Sequence, residues 1–291
     1  MKGIVLSGGS GSRLYPATNV ITKQLLTIYN KPMIYYPMST LMLAGIKDIM
    51  VITRPDQINL YKSLFEDGSN LGINIEYKIQ ESPKGIAECF IIAEEFIGDD
   101  SVCLILGDNI FYGDALPTIL RTSREITENN KSVIFGYHVN DAREYGVIEY
   151  NRNRRVVSIE EKPENPKSNC AAVGLYMYSN DVVKIAKTIS PSSRGELEIT
   201  DVNNVYLKRK KLMLEIFGRG YAWFDAGSHD SLLEASNFIQ TIEKRQGLKI
   251  ACLEEIAYNL GYIYFISKRQ LLRLAGNLGK NEYSNYLYGI I

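Results

Sequence analysis

The first 140 residues alternate short β-rich runs with longer helical stretches, a pattern that few folds accommodate. Lys2–Ser7, Asp48–Thr53, Ile73–Gln80, Ser101–Leu106 and Ser132–Val139 read as strands. Met38–Ala44, Ile58–Leu64, Ile86–Phe96 and Leu116–Thr127 between them have helical length and spacing. Such alternation predicts βαβ units and a mostly parallel sheet covered on both faces. Beyond residue 140 the pattern changes. Val147–Tyr150 and Val156–Glu161 read as a hairpin around Asn151–Arg155, and Ala171–Tyr178 and Leu212–Phe217 as strands. Asp181–Thr188, Ile199–Lys208 and Ser231–Arg245 read as helices, and the Tyr-rich C-terminal 45 residues look helical. No Pro/Gly/Ser linker divides the chain, so one domain spanning residues 1–291 is expected, with the second half wrapped on the sheet.

Composition narrows the function. Lys plus Arg and Asp plus Glu both number 33, so the formal net charge is zero. That counts against a dominant nucleic-acid or membrane surface. No apolar run nears the roughly 18 residues of a membrane span. The short apolar stretch after Lys2 is interrupted by Gly8-Gly9 too early for a signal peptide. Cys89, Cys103, Cys170 and Cys252 form no C-x-x-C pair and read as buried small hydrophobes of a cytoplasmic protein. His138 and His229 are the only histidines, which excludes a His-rich metal site.

Chemistry begins at Leu6-Ser7-Gly8-Gly9-Ser10-Gly11-Ser12-Arg13, directly after a strand. Its glycines let backbone N–H groups approach an anion, and Arg13 adds a donor fork suited to phosphate. The loop lacks Walker A spacing. It also misses the dinucleotide fingerprint, because Leu14 stands where the third glycine belongs. A flexible turn is the plain alternative, and Lys23-Gln24 tilts the reading toward a triphosphate.

Asp108 follows the apolar Leu104–Leu106 run, and Asp225 lies between Trp223-Phe224 and Ala226-Gly227-Ser228. Both are hard oxygen donors suited to Mg²⁺ with phosphates and water. Each could instead serve a turn or cap, and spacing alone does not show that they meet. Lys162, restricted by Pro163 to an extended backbone, and Arg194 are candidate cations for a second phosphate. Gln80 could read a base edge, and Gly85 could let a flat ring approach. Lys208–Lys211 reads as a solvated helix end.

Several long segments carry a resemblance over nearly the whole chain. They are GGSGSRLYP (8–16), TKQLLTIYNKPMIYYPMSTLMLAGI (22–46), LGDNIFYG (106–113), YGVIEY (145–150), IEEKPENPKSN (159–169), RGELEITDVN (194–203) and RGYAWFDAGSHDSLLEASNFI (219–239). Together they resemble the sugar-1-phosphate nucleotidyltransferases, most closely the branch that makes dTDP-glucose and pyrophosphate from dTTP and glucose 1-phosphate.

The resemblance implies a three-layer α/β/α Rossmann-like fold with a mixed, mostly parallel sheet, and a homotetramer. Residues 1–140 would form a nucleotide-binding half, 141–230 a sugar-phosphate half and 231–291 a helical part with oligomer and regulatory contacts. Leu6, Gly8, Gly9, Gln24, Gln80 and Gly85 would contact the nucleotide. Gly11, Arg13 and Lys23 would bind the triphosphate, with Mg²⁺ on Asp108 and Asp225. Asn109, Tyr145, Gly146, Glu161, Val173 and Trp223 would line the sugar pocket, and Lys162 and Arg194 would hold the sugar phosphate. Gly218, Arg219, Glu254, Glu255 and Ile256 fall where members respond to dTDP-rhamnose, an end-product of the pathways such enzymes open. Departures include Ser7, Thr27, Asp114-Ala115 and Ala226-Gly227-Ser228, none of which removes a charged group assigned to the chemistry. Residues 258–270 diverge most.

The implied chemistry is in-line attack of a sugar phosphate on the α-phosphorus of the nucleotide, with Arg13, Lys23 and Lys162 as the main cations and no general base. The same chemistry with UTP or another sugar phosphate is the near alternative. A non-catalytic regulatory homologue is the distant one, and it predicts the loss of Arg13, Asp108, Lys162 or Asp225, all of which are present.

Overall fold

The computed structural model describes residues 1–262 and 267–290. The divergent 258–270 stretch therefore lies partly outside the described residues. The strands are β1 (Lys2–Ser7), β2 (Thr27–Ile28), β3 (Lys31–Pro32), β4 (Asp48–Thr53), β5 (Asn74–Ile79), β6 (Val102–Leu106) and β7 (Asn109–Tyr112). They continue with β8 (Ser132–His138), β9 (Gly146–Tyr150), β10 (Val156–Glu161), β11 (Cys170–Tyr178), β12 (Leu212–Phe217) and β13 (Ala222–Asp225).

One mixed sheet runs β10-β9-β11-β6-β1-β4-β5, with β8 pairing β11 and β12 pairing β8. The β6-β1-β4-β5 part is parallel throughout, as the βαβ pattern predicts. β11 runs antiparallel to β6, β8 and β9, so this strand joins the second half of the chain to the first. Alternate residues along the parallel strands feed two cores. Val5, Val51 and Ile105 face one, while Ile4, Ile52 and Leu104 face the other. Helices cover both sides of β1, β4 and β6, which is why these three strands carry almost no polar residues before their ends, whereas the edge strand β5 alternates apolar and polar residues.

Most expected elements form within a residue or two of the expected ends. Ile86–Phe96 does not form one helix. It forms Glu88–Ile92 and Glu94–Ile97, separated at Ala93 (φ −92°, ψ 11°). The preceding turn is held elsewhere: Ala87 N–H donates to Leu197 O, and Leu197 N–H to Lys84 O. The helix at His229–Gln246 starts earlier than expected, because Ser228 caps it in a capping box with Ser231. That cap leaves Asp225 free for other work. All four cysteines are free and buried. No helix among the described residues is long and apolar enough to cross a membrane.

Two short pairings were not legible in the sequence. β2 and β3 form a hairpin, and β13 pairs antiparallel with β7, placing Asp225 opposite Asn109.

Candidate active site

The carboxyl ends of β1 and β6 are neighbours, so the glycine loop and Asp108 emerge side by side. The loop begins at Gly8, where a Cβ would stand 2.1 Å from Gln80 Oε1. An added methyl group there would push the Gln80 amide aside. Leu6 lies half-buried at the end of β1, and its carbonyl accepts from Gly107 N–H at 2.9 Å. Gly11 takes φ +66° and leads into a short 3₁₀ turn, Ser12–Leu14. Buried Leu14 anchors this turn and leaves Arg13 exposed. Gly9 lies beside the Lys23 stem, 4.0 Å from its Cε to a built Cβ. Gln24 is buried and accepts from Thr22 Oγ1 at 2.6 Å.

Lys23 Nζ donates to Asp108 Oδ2. Burial pushes the Asp108 carboxyl up, but the Lys23 ammonium outweighs it and holds Asp108 below the usual carboxylate range. The β7–β13 pairing brings Asp225 to the same place. Its carboxyl is pushed up to about 6, first by burial and then by the Asp108 charge. Arg13 crosses from the loop to join them. A Cβ on Gly227 would lie 2.8 Å from Arg13 Nη2 and 3.0 Å from Asp225 Oδ1, so an added methyl group there would displace one of these side chains.

Asn109 organises the junction. Its Oδ1 accepts from Trp223 Nε1 at 2.6 Å and from Gly174 N–H at 3.0 Å. Its Nδ2 donates to Asp108 Oδ1 at 3.2 Å. Gly174 N–H is free to do this because the β11–β8 register breaks between Ala172 and Tyr176. Asn109 is only 2% exposed, so its amide serves as an internal brace as well as part of a cavity wall.

A cavity of about 260 Å³ opens beside this junction. Arg13, Asp108, Asn109, Tyr145, Gly146, Glu161, Lys162, Arg194, Trp223 and Asp225 all border it, so the structure gathers most of the expected sugar, sugar-phosphate and metal residues, while Gly8 and Gln80 border a separate cavity. Tyr145 packs edge-on against Trp223, with ring centroids 5.2 Å apart. The Val173 side chain does not border the cavity. It faces the core on the other side of β11, while Ala172 and Gly174 border the cavity.

Arg194, a candidate phosphate cation, is held by carboxylates. Its guanidinium meets both Glu198 oxygens at 2.9 Å, with Glu161 at 3.5 Å and Glu196 at 3.7 Å. Glu161 also accepts from Thr200 Oγ1 at 2.5 Å. Glu196, Glu198 and Thr200 were missed, although they lie within the 194–203 segment. One further expectation needs correction. Lys162 is not extended: its φ is +42°, and its N–H donates to Tyr145 O at 3.0 Å, a tertiary bond that overrides the Pro163 preference. Gly85, at φ +104°, has a structural reason to be glycine as well, because a Cβ would meet the Leu197 backbone at 2.4 Å.

The expected regulatory residues lie outside this cavity. Gly218 and Arg219 form an exposed turn after β12. Glu254 and Glu255 accept from the hydroxyls of Tyr283 and Tyr286 at 2.6 and 2.7 Å, and Ile256 packs on the main core. His138 pairs with Tyr150, and His229 lies beside Tyr15 O.

Comparison with known proteins agrees with this geometry. Residues 2–242 match the nucleotidyl transferase family. Glucose-1-phosphate thymidylyltransferase of Neisseria meningitidis is 52% identical over 291 residues, covering 100% of this chain and 99% of its own. The protein of the same name from Mycobacterium tuberculosis is 49% identical over the same coverage. Among solved structures, a Bacillus anthracis protein in complex with sucrose superposes with a TM-score of 0.74 at 40% identity, over 82% of this chain and 94% of that one. A UDP-glucose pyrophosphorylase complexed with UDP-glucose gives 0.73 at 25% identity, over 83% and 98%. The chain belongs to the nucleotidyl transferase family and, within it, to the glucose-1-phosphate thymidylyltransferases.

Proposed function

We propose that this chain transfers a thymidylyl group from dTTP to glucose 1-phosphate, giving dTDP-glucose and pyrophosphate. The observation that carries the reading is the meeting of Asp108 and Asp225 between a glycine loop bearing Arg13 and a cavity bordered by Lys162 and Arg194. One side suits a triphosphate and the other a sugar phosphate.

The donor set fits Mg²⁺. Two carboxylates converge, and no group of three or more His, Cys, Asp or Glu is placed to hold a metal ion among the described residues. A hard cation completed by phosphate oxygens and water matches that set, whereas a closed structural site does not. When bound, Mg²⁺ would polarise the α-phosphate as a Lewis acid.

This chain's residues supply the rest. A phosphate oxygen of the sugar phosphate forms the new bond to the α-phosphorus, and the bond to the β-phosphate bridge oxygen breaks. Arg13 and Lys23 offset the charge that develops on the leaving pyrophosphate. Lys162 and Arg194 hold the attacking phosphate against its repulsion from the nucleotide. The nucleophile is already anionic near neutral pH, so no base is needed, in keeping with two histidines that lie away from the cavity. Glu161 and Thr200 offer acceptor and donor groups for sugar hydroxyls.

Pyrophosphate release from purified protein tests this, with glucose 1-phosphate and Mg²⁺ against dTTP, UTP, ATP, CTP and GTP. Release that needs sugar phosphate and metal, with dTTP used best, is expected. Tight dTTP binding with no release would replace this reading with a binding role. The homotetramer and a dTDP-rhamnose response around Gly218, Arg219 and Glu254–Ile256 belong to the same proposal. Light scattering and inhibition assays read them.

A further inference from the structure

Gln80 follows β5 and is only 3% exposed. Its Nε2 donates to Glu88 Oε2 at 2.8 Å and reaches Gly85 O at 3.5 Å. A carboxylate accepts hydrogen bonds and cannot donate them, so Glu88 decides which end of the Gln80 amide is nitrogen and which is oxygen. The oxygen is thereby turned to the opposite side, over Gly8, where it receives no hydrogen bond from any described residue. A cavity of about 380 Å³ opens there, bordered by Gly8, Ser10, Arg54 and Gln80. Glu88 is itself fixed in place. It opens the Glu88–Ile92 helix, and the preceding Ala87 N–H is bonded to Leu197 O.

We propose that Glu88 is a positioning residue that sets pyrimidine selectivity, by holding the Gln80 amide with its oxygen toward the glycine loop. The oxygen is then a fixed acceptor. It matches the N3–H donor of thymine or uracil and opposes the N3 lone pair of cytosine. With Glu88 removed, the amide is free to turn over and offer Nε2 instead, which suits cytosine. The inference rests on the thymidylyl-transfer reading above and adds to it the origin of base choice.

The test compares dTTP and dCTP in wild type, Glu88→Ala and Glu88→Gln, by kcat and KM for pyrophosphate release and by direct nucleotide binding. The expected result is a fall of about tenfold in the dTTP/dCTP ratio for Glu88→Ala, carried by KM, with kcat for dTTP near wild type. Glu88→Gln keeps an acceptor and is expected to retain most of the preference. A merely structural role would weaken both nucleotides alike. If Glu88→Ala does not fold, Glu88→Leu fills the space without an acceptor and is read in the same way. A ratio unchanged in the folded variant overturns the inference. If wild type binds dTTP but releases no pyrophosphate, the transfer reading fails, and the binding ratios still decide the role of Glu88.

Discussion

In the proposed function, the two halves that meet at Asp108 and Asp225 recognise phosphate by different means. The nucleotide half relies on a backbone loop beside Arg13 and Lys23. Gly8 and Gly11 bring main-chain groups close, and the Lys23–Asp108 ion pair sits at the edge of that loop. The sugar-phosphate half uses side chains. Arg194 is held in orientation by Glu198, Glu196 and Glu161, and Lys162 is aimed by a left-handed backbone. A backbone site is sensitive to added bulk. A side-chain site is sensitive to the loss of a partner.

The largest expected effect strikes the residue that spans both halves. Arg13→Ala is expected to cut kcat by about 100-fold or more while glucose 1-phosphate binding changes little. Steady-state kinetics checks this, and a wild-type kcat would remove Arg13 from the chemistry. Gly8→Ala probes the backbone side. Its new methyl group meets Gln80 Oε1, so the dTTP KM is expected to rise about tenfold with the sugar-phosphate KM unchanged. Glu198→Gln probes the side-chain side. It leaves the Arg194 fork loosely held, and because Arg194 is 40% exposed the effect is modest: the glucose 1-phosphate KM is expected to rise roughly threefold to tenfold and the dTTP KM not at all. Equal changes in both substrates for either variant would break the contrast.

The smallest effect concerns stability. The Asp225 carboxyl is raised from its ordinary 3.8 to about 6 in the fold. A raised carboxyl favours the folded state most when protonated, so this contribution is full below 3.8 and is lost as pH rises through about 6. At pH 7.5 without metal, charged Asp225 therefore works against folding. Asp225→Asn is expected to unfold later in urea by on the order of 1–2 kcal/mol, with a flatter stability profile between pH 4 and 6. A less stable variant at pH 7.5 would contradict the electrostatic account of the pair.

The same contrast explains what the sequence made legible. β1, β4 and β6 are continuous apolar runs ending in turn residues, and the glycine loop is contiguous, so both the parallel sheet and the nucleotide side could be read locally. The meeting of Asp108 and Asp225 could not. It depends on two four-residue strands, Asn109–Tyr112 and Ala222–Asp225, paired across more than 100 residues. Their length carries too little periodicity to announce a strand. Lys162 was misread for a related reason. Pro163 suggests a local preference, while the deciding contact, Tyr145 O, comes from elsewhere in the chain. The Arg194 carboxylate cage was partly visible as Glu196 and Glu198, but its geometry belongs to the fold.

The most direct test of the central claim, that one aspartate from each half makes a single centre, is dTDP-glucose formation at varied Mg²⁺ in wild type and Asp225→Asn. Wild type is expected to form dTDP-glucose and pyrophosphate in equal amounts only when dTTP, glucose 1-phosphate and Mg²⁺ are all present. Asp225→Asn is expected to lose about 100-fold or more of that turnover while still binding each substrate alone. Wild-type turnover with an unchanged Mg²⁺ requirement in Asp225→Asn would contradict the account.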